Sequence, residues 1–418
     1  MNPAATVLIG ISITTLLFGF RKNADIFHPA RFWIILWSMV IGVTLLNLSY
    51  YQREWSLKAW FVIVSGLTAY PVGVLADTYI HRNFRYESIP FQAERFNDDI
   101  KRNSFRRVIY LMFLAYTVAY ILEWQIIGYL PLFTIFRETQ RHEFGIFGLH
   151  LIVSTLPIVL MLISEYLLIF NHKVLTKVSY GVMFLVGLIS YVFLLNRLFI
   201  FMLGFMIIML IHYLKKPLRV KALLITIIVL SFVFWGVGEL RTTQFIGDFI
   251  YNVSNMKYSE DYANFTGPYM YTVMNLENVA NGVKYLTDYN YGANILDWIY
   301  ALLQLQDPIS EYLNVAKFQY IVTKSFTTMS YMWYFYADFG IAGVVIGSLI
   351  WGIIMSRLYH KMRSKPNLML INLYALLTFM VFLSFFTFMP AMLNSVFQVI
   401  ALTLASGFIE NPTLFKHK

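Results

Sequence analysis

A chain of 418 residues that is 59% hydrophobic and only 13% charged, with a mean hydropathy of +0.62, carries too little charge to cover a soluble surface. An ordinary water-soluble enzyme is thereby excluded, and the lack of cysteine excludes disulfides, thiolate nucleophiles and cysteine-bound metals. The net charge of +10 admits a nucleic-acid partner only until the basic residues are located.

Apolar runs of about twenty residues recur, each long enough to cross a hydrocarbon layer of about 30 Å. In chain order they predict spans over 3–20, 32–50, 59–76, 108–127, 150–170, 178–195, 198–214, 222–238, 331–356, 368–388 and 391–409. The expected fold is all-α: a polytopic transmembrane bundle of about eleven helices forming one integral membrane domain, residues 1–418. The first run has no basic residue before it and no small-residue cleavage pattern, so it reads as a retained helix rather than a signal peptide.

Basic residues fill alternate connections. Arg21, Lys22 and Arg31 are followed by Arg82, Arg85, Arg95, Lys101, Arg102, Arg106 and Arg107 of the 77–107 segment, then by Lys173 and Lys177. The series continues with Lys215, Lys216, Arg219 and Lys221, with Arg357, Lys361, Arg363 and Lys365, and with Lys416 and Lys418, and it holds 22 of the 32 Lys and Arg residues. The positive-inside rule makes these connections cytoplasmic. The amino terminus is then outside, the carboxyl terminus cytoplasmic and the polar 239–330 segment external. The net charge is a topology signal, and no nucleic acid is expected. Trp55, Trp60, Trp124, Trp235 and Trp333 fall near predicted outer ends and Trp33 and Trp351 near inner ones, as interfacial anchors would. The 77–107 segment has neither a Walker loop nor GxGxxG and reads as a connector lying on anionic lipid. No internal repeat supports the paired halves common in transporters.

The 239–330 segment interrupts this pattern with eleven tyrosines, nine asparagines and nine carboxylates against five Lys and Arg. Tyrosine offers an apolar face with a polar tip and asparagine both donor and acceptor. That combination suits sugars, although both residues also populate interfacial loops in general. Residues 295–305 (ILDWIYALLQL) predict a helix too short to span.

Four arginines fall on the predicted outer side. Arg197 sits in a tight turn between two spans, where a charge drawn toward mid-bilayer costs about 2–3 kcal/mol; Arg241 opens the large segment, and Arg137 and Arg141 occupy another external connection. Guanidinium forks match phosphate oxygens in paired hydrogen bonds and stay charged at every relevant pH, so these four are candidate ligands of a lipid-linked pyrophosphate, with interfacial anchoring the alternative. Glu123, Glu165 and Asp338 lie within predicted spans. Glu123 and Asp338 fall toward outer ends, where they could pair with Arg197 or Arg241 or act as a base, and Glu165 falls nearer the cytoplasm. His142 and His150 stand near the outer face. No HExxH, no serine elbow and no acid–histidine cluster with metal-ligand spacing occurs.

Several short motifs carry a family likeness. They are Asp25-Ile26-Phe27-His28-Pro29, Gly128-Tyr129-Leu130-Pro131-Leu132-Phe133, Asn196-Arg197 at the head of a span, and Glu239-Leu240-Arg241. Phe335-Tyr336-Ala337-Asp338-Phe339-Gly340-Ile341-Ala342-Gly343 adds a Tyr-x-Asp-Phe-Gly-x-x-Gly pattern. In these motifs and in layout the chain resembles the bacterial oligosaccharide repeat-unit polymerases, the Wzy-type O-antigen and capsule polymerases. The resemblance implies a GT-C-like, lipid-donor glycosyltransferase of the bacterial cytoplasmic membrane, acting on its outer side without nucleotide sugar, metal or cofactor. Its substrates would be undecaprenyl-pyrophosphate-linked oligosaccharides, and its partners the bilayer, a chain-length regulator and a flippase. Arg197 and Arg241 would clamp the pyrophosphate, and Asp338 would occupy a recurrent motif position for which helix packing is an alternative role. A departing pyrophosphate gains negative charge, which fixed arginines stabilise best away from water. The attacking hydroxyl needs a proton acceptor, for which Glu239, Asp338 and His150 are the candidates in that order. An O-antigen ligase shares the large external loop and the donor; a flippase or other transporter is the alternative from another class.

Overall fold

The computed structural model describes residues 2–21, 24–82, 85–170, 173–240, 246–313 and 319–411. Arg241, Lys22, Lys416 and Lys418 lie outside the described residues, as do the side chains of Glu239 and Trp235. Among the described residues there is no strand, only an isolated bridge between Ser49 and Met256. Each predicted span lies mainly in helix, although the helix of the predicted 32–50 span stops at Thr44, and the ends follow local chemistry. Helix α1 (Pro3–Gly19) starts with proline at its first position and the Asn2 side chain accepting from the Ala4 amide, and α2 (Pro29–Thr44) also starts on proline, where the missing N–H is harmless. Ser56 caps α3 (Leu57–Ile80). Asp98 caps α4 (Asp99–Ile127), which ends on Gly128 at φ 83°, the left-handed stop that glycine takes without strain.

The short α5 (Arg137–Glu143) and α6 (Leu149–Val153) precede α7 (Leu156–Ile169), α8 (Val174–Phe193), α9 (Arg197–Leu214) and α10 (Val220–Glu239). The predicted 239–330 loop is largely helical: α11 (Ile246–Ser254), α12 (Ala263–Tyr285), α13 (Asp297–Leu302) and α14 (Gln306–Tyr312). Helices α15 (Tyr331–Ser364), α16 (Leu368–Phe382) and α17 (Leu393–Glu410) complete the chain. Eight helical segments among the described residues are long and apolar enough to cross a membrane, α6 and α7 together making one of them, and α1 and α2 are shorter apolar helices. The protein is a multi-pass helical membrane protein. The predicted 77–107 connector is narrower than its charge suggested, because α3 runs to Ile80 and α4 begins at Asp99.

The chain forms two compact units. The first comprises Met1–Arg85, Ile246–Lys361 and Met380–Val396. Its centre is a close crossing of α3 and α15. A Cβ on Gly73 would stand 2.2 Å from the Leu349 carbonyl oxygen, and one on Gly352 would stand 2.2 Å from that of Tyr70. Only glycine lets the two backbones approach so far. Trp33, expected at an interface, is buried instead: its ring stacks on Tyr70 at 3.9 Å and its indole N–H donates to the Leu67 carbonyl at 3.1 Å. Around this crossing packs α12, which touches α2, α3 and α11. Met270, Val273 and Met274 of α12 form a core with Ile250 and Phe326.

The second unit comprises Tyr86–Phe245, Met362–Phe379 and Phe397–Lys418. Helix α7, buried along most of its length, packs against α4, α8 and α9. Asn372 of α16 donates to Glu165 of α7 at 2.8 Å and to Ser406 of α17 at 3.1 Å, and Gln398 of α17 donates to the Ser154 carbonyl at 2.7 Å.

Candidate functional site

Five of the seven residues predicted for the site belong to the second unit with described backbone. Arg197 opens α9 directly after Asn196, whose side chain accepts from the Phe199 amide at 3.4 Å, and Leu195 completes the reversal with φ 55°. Arg197 is half-buried. The turn is docked on α6, because the Tyr191 hydroxyl donates to the Val153 carbonyl at 2.9 Å. His150, on the same short helix, lies with Nδ1 3.2 Å from both carboxylate oxygens of Glu123. Glu123 is fully buried and also accepts from the Ile146 amide at 2.7 Å. The histidine–carboxylate pair thus fastens the 144–150 segment to the end of α4, a pairing the sequence did not suggest.

Arg137 reaches across more than a hundred residues of sequence. Its guanidinium donates to the Leu240 carbonyl at 2.8 Å. That bond joins α5, which carries both Arg137 and Arg141, to the end of α10, where Glu239 is the last helical residue and Arg241 follows in sequence. Arg141 lies 3.0 Å from the ring of His142. The Arg137–Leu240 bond thus joins α5 to the end of α10, while the α8–α9 turn that carries Arg197 is docked on α6.

Asp338 belongs to the first unit and is already engaged. Its carboxylate, fully buried, accepts from the Asn294 amide at 3.1 Å, the Asn294 side chain at 2.7 Å and the Ile295 amide at 2.8 Å. Helix α15 breaks beside it, with Phe339 at φ −140° and Gly340 at φ 63°, ψ −150°. At that φ a side chain is strained, and a Cβ on Gly340 would meet the Tyr289 hydroxyl at 2.6 Å. The freed backbone is used again: the Asn290 amide donates to the Ala337 carbonyl at 2.8 Å. The Tyr-x-Asp-Phe-Gly pattern thus builds a helix break that clamps the 290–295 turn.

The asparagines of α12 are also engaged within the fold. Asn278 donates to the carbonyls of Phe326 and Thr328 at 2.8 and 2.9 Å and accepts from the Val322 amide at 2.8 Å. Asn281 donates to the Tyr320 carbonyl at 2.9 Å. Tyr262, Tyr285, Tyr291 and Tyr312 remain more than half exposed and keep the amphipathic character expected of that segment.

The first unit holds a cavity that residue spacing did not reveal. About 340 Å³ in volume, it lies among the start of α1, the end of α2, the 52–55 turn, Trp60 of α3 and Glu277 of α12. Glu277 is 4% exposed. It accepts from the Trp55 indole N–H at 3.0 Å and from the Arg53 amide at 3.3 Å. Burial pushes its carboxyl up to about 7, against hydrogen bonds from the Arg53 amide, Trp55 and Gln52 and the Arg53 charge. Trp55 and Trp60 face each other at 4.7 Å between centroids, tilted by 48°. Nothing in the sequence singles out Glu277 from its eight fellow carboxylates, since the partners that define it lie more than two hundred positions away. Among the described residues no cluster of His, Asp and Glu is arranged to hold a metal ion. No known protein family, curated protein or solved structure matches the chain.

Proposed function

We propose that this protein is a polysaccharide polymerase of the bacterial cytoplasmic membrane, joining undecaprenyl-pyrophosphate-linked repeat units on the outer face. The Arg137–Leu240 hydrogen bond carries this reading. It joins α5, which carries Arg137 and Arg141, to Leu240, the residue that precedes Arg241 in sequence, which supports a shared role for these cations. With Arg197 half-buried at the head of α9, these groups suit a diphosphate leaving group, whose charge grows as the glycosidic bond breaks. Guanidinium stabilises that charge through paired hydrogen bonds.

The attacking hydroxyl gives up its proton as its oxygen bonds to the anomeric carbon, and the electron pair of the broken C–O bond leaves with the diphosphate. His150, tied to Glu123 at 3.2 Å, fits the proton acceptor better than Asp338, whose oxygens are taken up by Asn294 and Ile295. Glu239, at the end of α10, keeps its place as a candidate by position. Purified protein supplied with synthetic lipid-linked repeat units tests the reading: a ladder of longer glycans on lipid is expected. Transfer of a glycan to a lipid-core acceptor without elongation marks a ligase, and transbilayer movement with no new glycosidic bond marks a transporter; either result rejects polymerisation.

A further inference from the structure

We propose that the Glu277 cavity of the first unit is a binding subsite for a neutral, hydroxyl-bearing sugar ring. The chemistry of its walls narrows the ligand. The apolar part is a pair of indoles, Trp55 and Trp60, beside one aliphatic side chain, Leu45. Aromatic faces suit the C–H face of a pyranose ring, with a polar edge left over for hydroxyls.

Charge decides against the alternatives. Glu277 and Glu54 line the cavity together with Arg53. A phosphate or carboxylate ligand would meet the Glu54 carboxylate and a Glu277 that ionises as pH rises through about 7, and the guanidinium disfavours a quaternary ammonium in what would otherwise pass for an aromatic cage. A polyol satisfies both signs at once. Trp55 and the Arg53 amide each donate to one oxygen of the Glu277 carboxylate, and a carboxylate oxygen can accept more than one hydrogen bond, so a ligand hydroxyl can be added. A buried acceptor of this kind discriminates strongly, because a ligand without the matching hydroxyl leaves the acceptor desolvated and unpaired. The volume of about 340 Å³ stands at the small end of ligand pockets, roughly 300–1,000 Å³, and suits one or two rings of a longer glycan.

Naming a lipid-linked glycan as the source of that ring rests on the polymerase reading; the subsite itself does not. The test is calorimetric titration of the full chain in nanodiscs with a lipid-linked repeat unit and, separately, with the same oligosaccharide free of lipid. Choline and inorganic diphosphate serve as comparison ligands. Both glycans are expected to bind, with affinity lowered at least tenfold in Trp60→Ala and in Glu277→Gln while Trp60→Phe restores most of it. Trp60→Ala removes no side-chain hydrogen bond found among the described residues, so it stands where Glu277→Gln unfolds the unit. Unchanged sugar binding in Trp60→Ala, no sugar binding by the native protein, or choline or diphosphate binding that is lost in Trp60→Ala would each overturn the subsite. Native protein that binds sugar at this cavity yet forms no glycosidic bond sinks the polymerase reading alone. Native protein that polymerises while Trp60→Ala and Glu277→Gln bind and polymerise as well as it does sinks the subsite alone.

Discussion

The two units hold themselves together by different means. The second is built on α7, a helix buried along most of its length, and is tied by polar pairs between helices such as Glu165–Asn372–Ser406, Gln398–Ser154 and Glu123–His150. The first folds around α12, whose buried asparagines hold the 320–328 backbone, and around a broken α15 whose aspartate clamps a turn. In the second unit the central helix is mostly apolar, and Arg137 and Arg197 of the predicted site open helices α5 and α9. In the first, buried side chains hold loop backbone, and one buried carboxylate, Glu277, lies beside a cavity. An identical residue type therefore means different things in the two places: a carboxylate fastens a turn at Asp338 and lines a cavity at Glu277.

The contrast breaks most visibly at the arginines. Arg197→Ala and Arg241→Ala are each expected to cut polymer formation by about 10²–10³ with normal insertion, the usual loss when one charge-stabilising donor is removed. In cells this reads as single-repeat glycans replacing long chains. Normal polymer from both correctly inserted variants rejects the diphosphate clamp. Next comes Asp338→Ala, which leaves the Asn294 and Ile295 amides without their acceptor at about 1–3 kcal/mol for each orphaned donor. Thermal unfolding in detergent should fall sharply while activity per folded molecule holds. Lost activity in a fully stable Asp338→Ala protein would instead make this carboxylate part of the chemistry.

The pH dependence of the first unit sharpens the comparison further. Glu277 titrates near 7 in the folded protein against an ordinary 4.5, so between these values the native state holds a proton the unfolded chain has released. Its contribution to stability is fully present below about 4.5 and is lost as pH rises through about 7. At about 1.4 kcal/mol for every tenfold change in proton affinity, the loss is on the order of 3 kcal/mol. Unfolding temperature should therefore drop between pH 5 and pH 8, and Glu277→Gln should flatten that slope; an equal slope in the variant removes Glu277 as its origin. The smallest effect belongs to the second unit. Gln398→Leu deletes one hydrogen bond to Ser154, worth about 0.6 kcal/mol on average between membrane helices. A loss several times larger would show that polar nodes, and not apolar packing, carry this unit as well.

Local pattern was enough for the spans. Each apolar run lies mainly in helix, because length and hydropathy are properties of contiguous residues. Helix α12 was not legible: its sequence, with four asparagines, a glutamate and an internal proline at Pro268, reads as polar loop, and it becomes a core helix through partners supplied by α2, α3 and the 320–328 segment. Trp33 misled in the same way, since an indole near a span end looks interfacial until Tyr70 is stacked on it. Of the predicted site, Arg137 gained a partner at Leu240 and Asp338 proved to be a clamp, neither of which spacing along the chain encodes.

Composition and charge order alone determine that this chain is a helical membrane protein, and they mark where its apolar helices run and which arginines stand apart. Those are sums over neighbouring residues, and neighbours in sequence stay neighbours in a helix. Tertiary structure decided which polar groups are consumed and which are left over, because hydrogen bonds such as Glu277 to Trp55 join positions more than two hundred residues apart. Burial then sets the chemistry of each carboxylate through whatever packs around it.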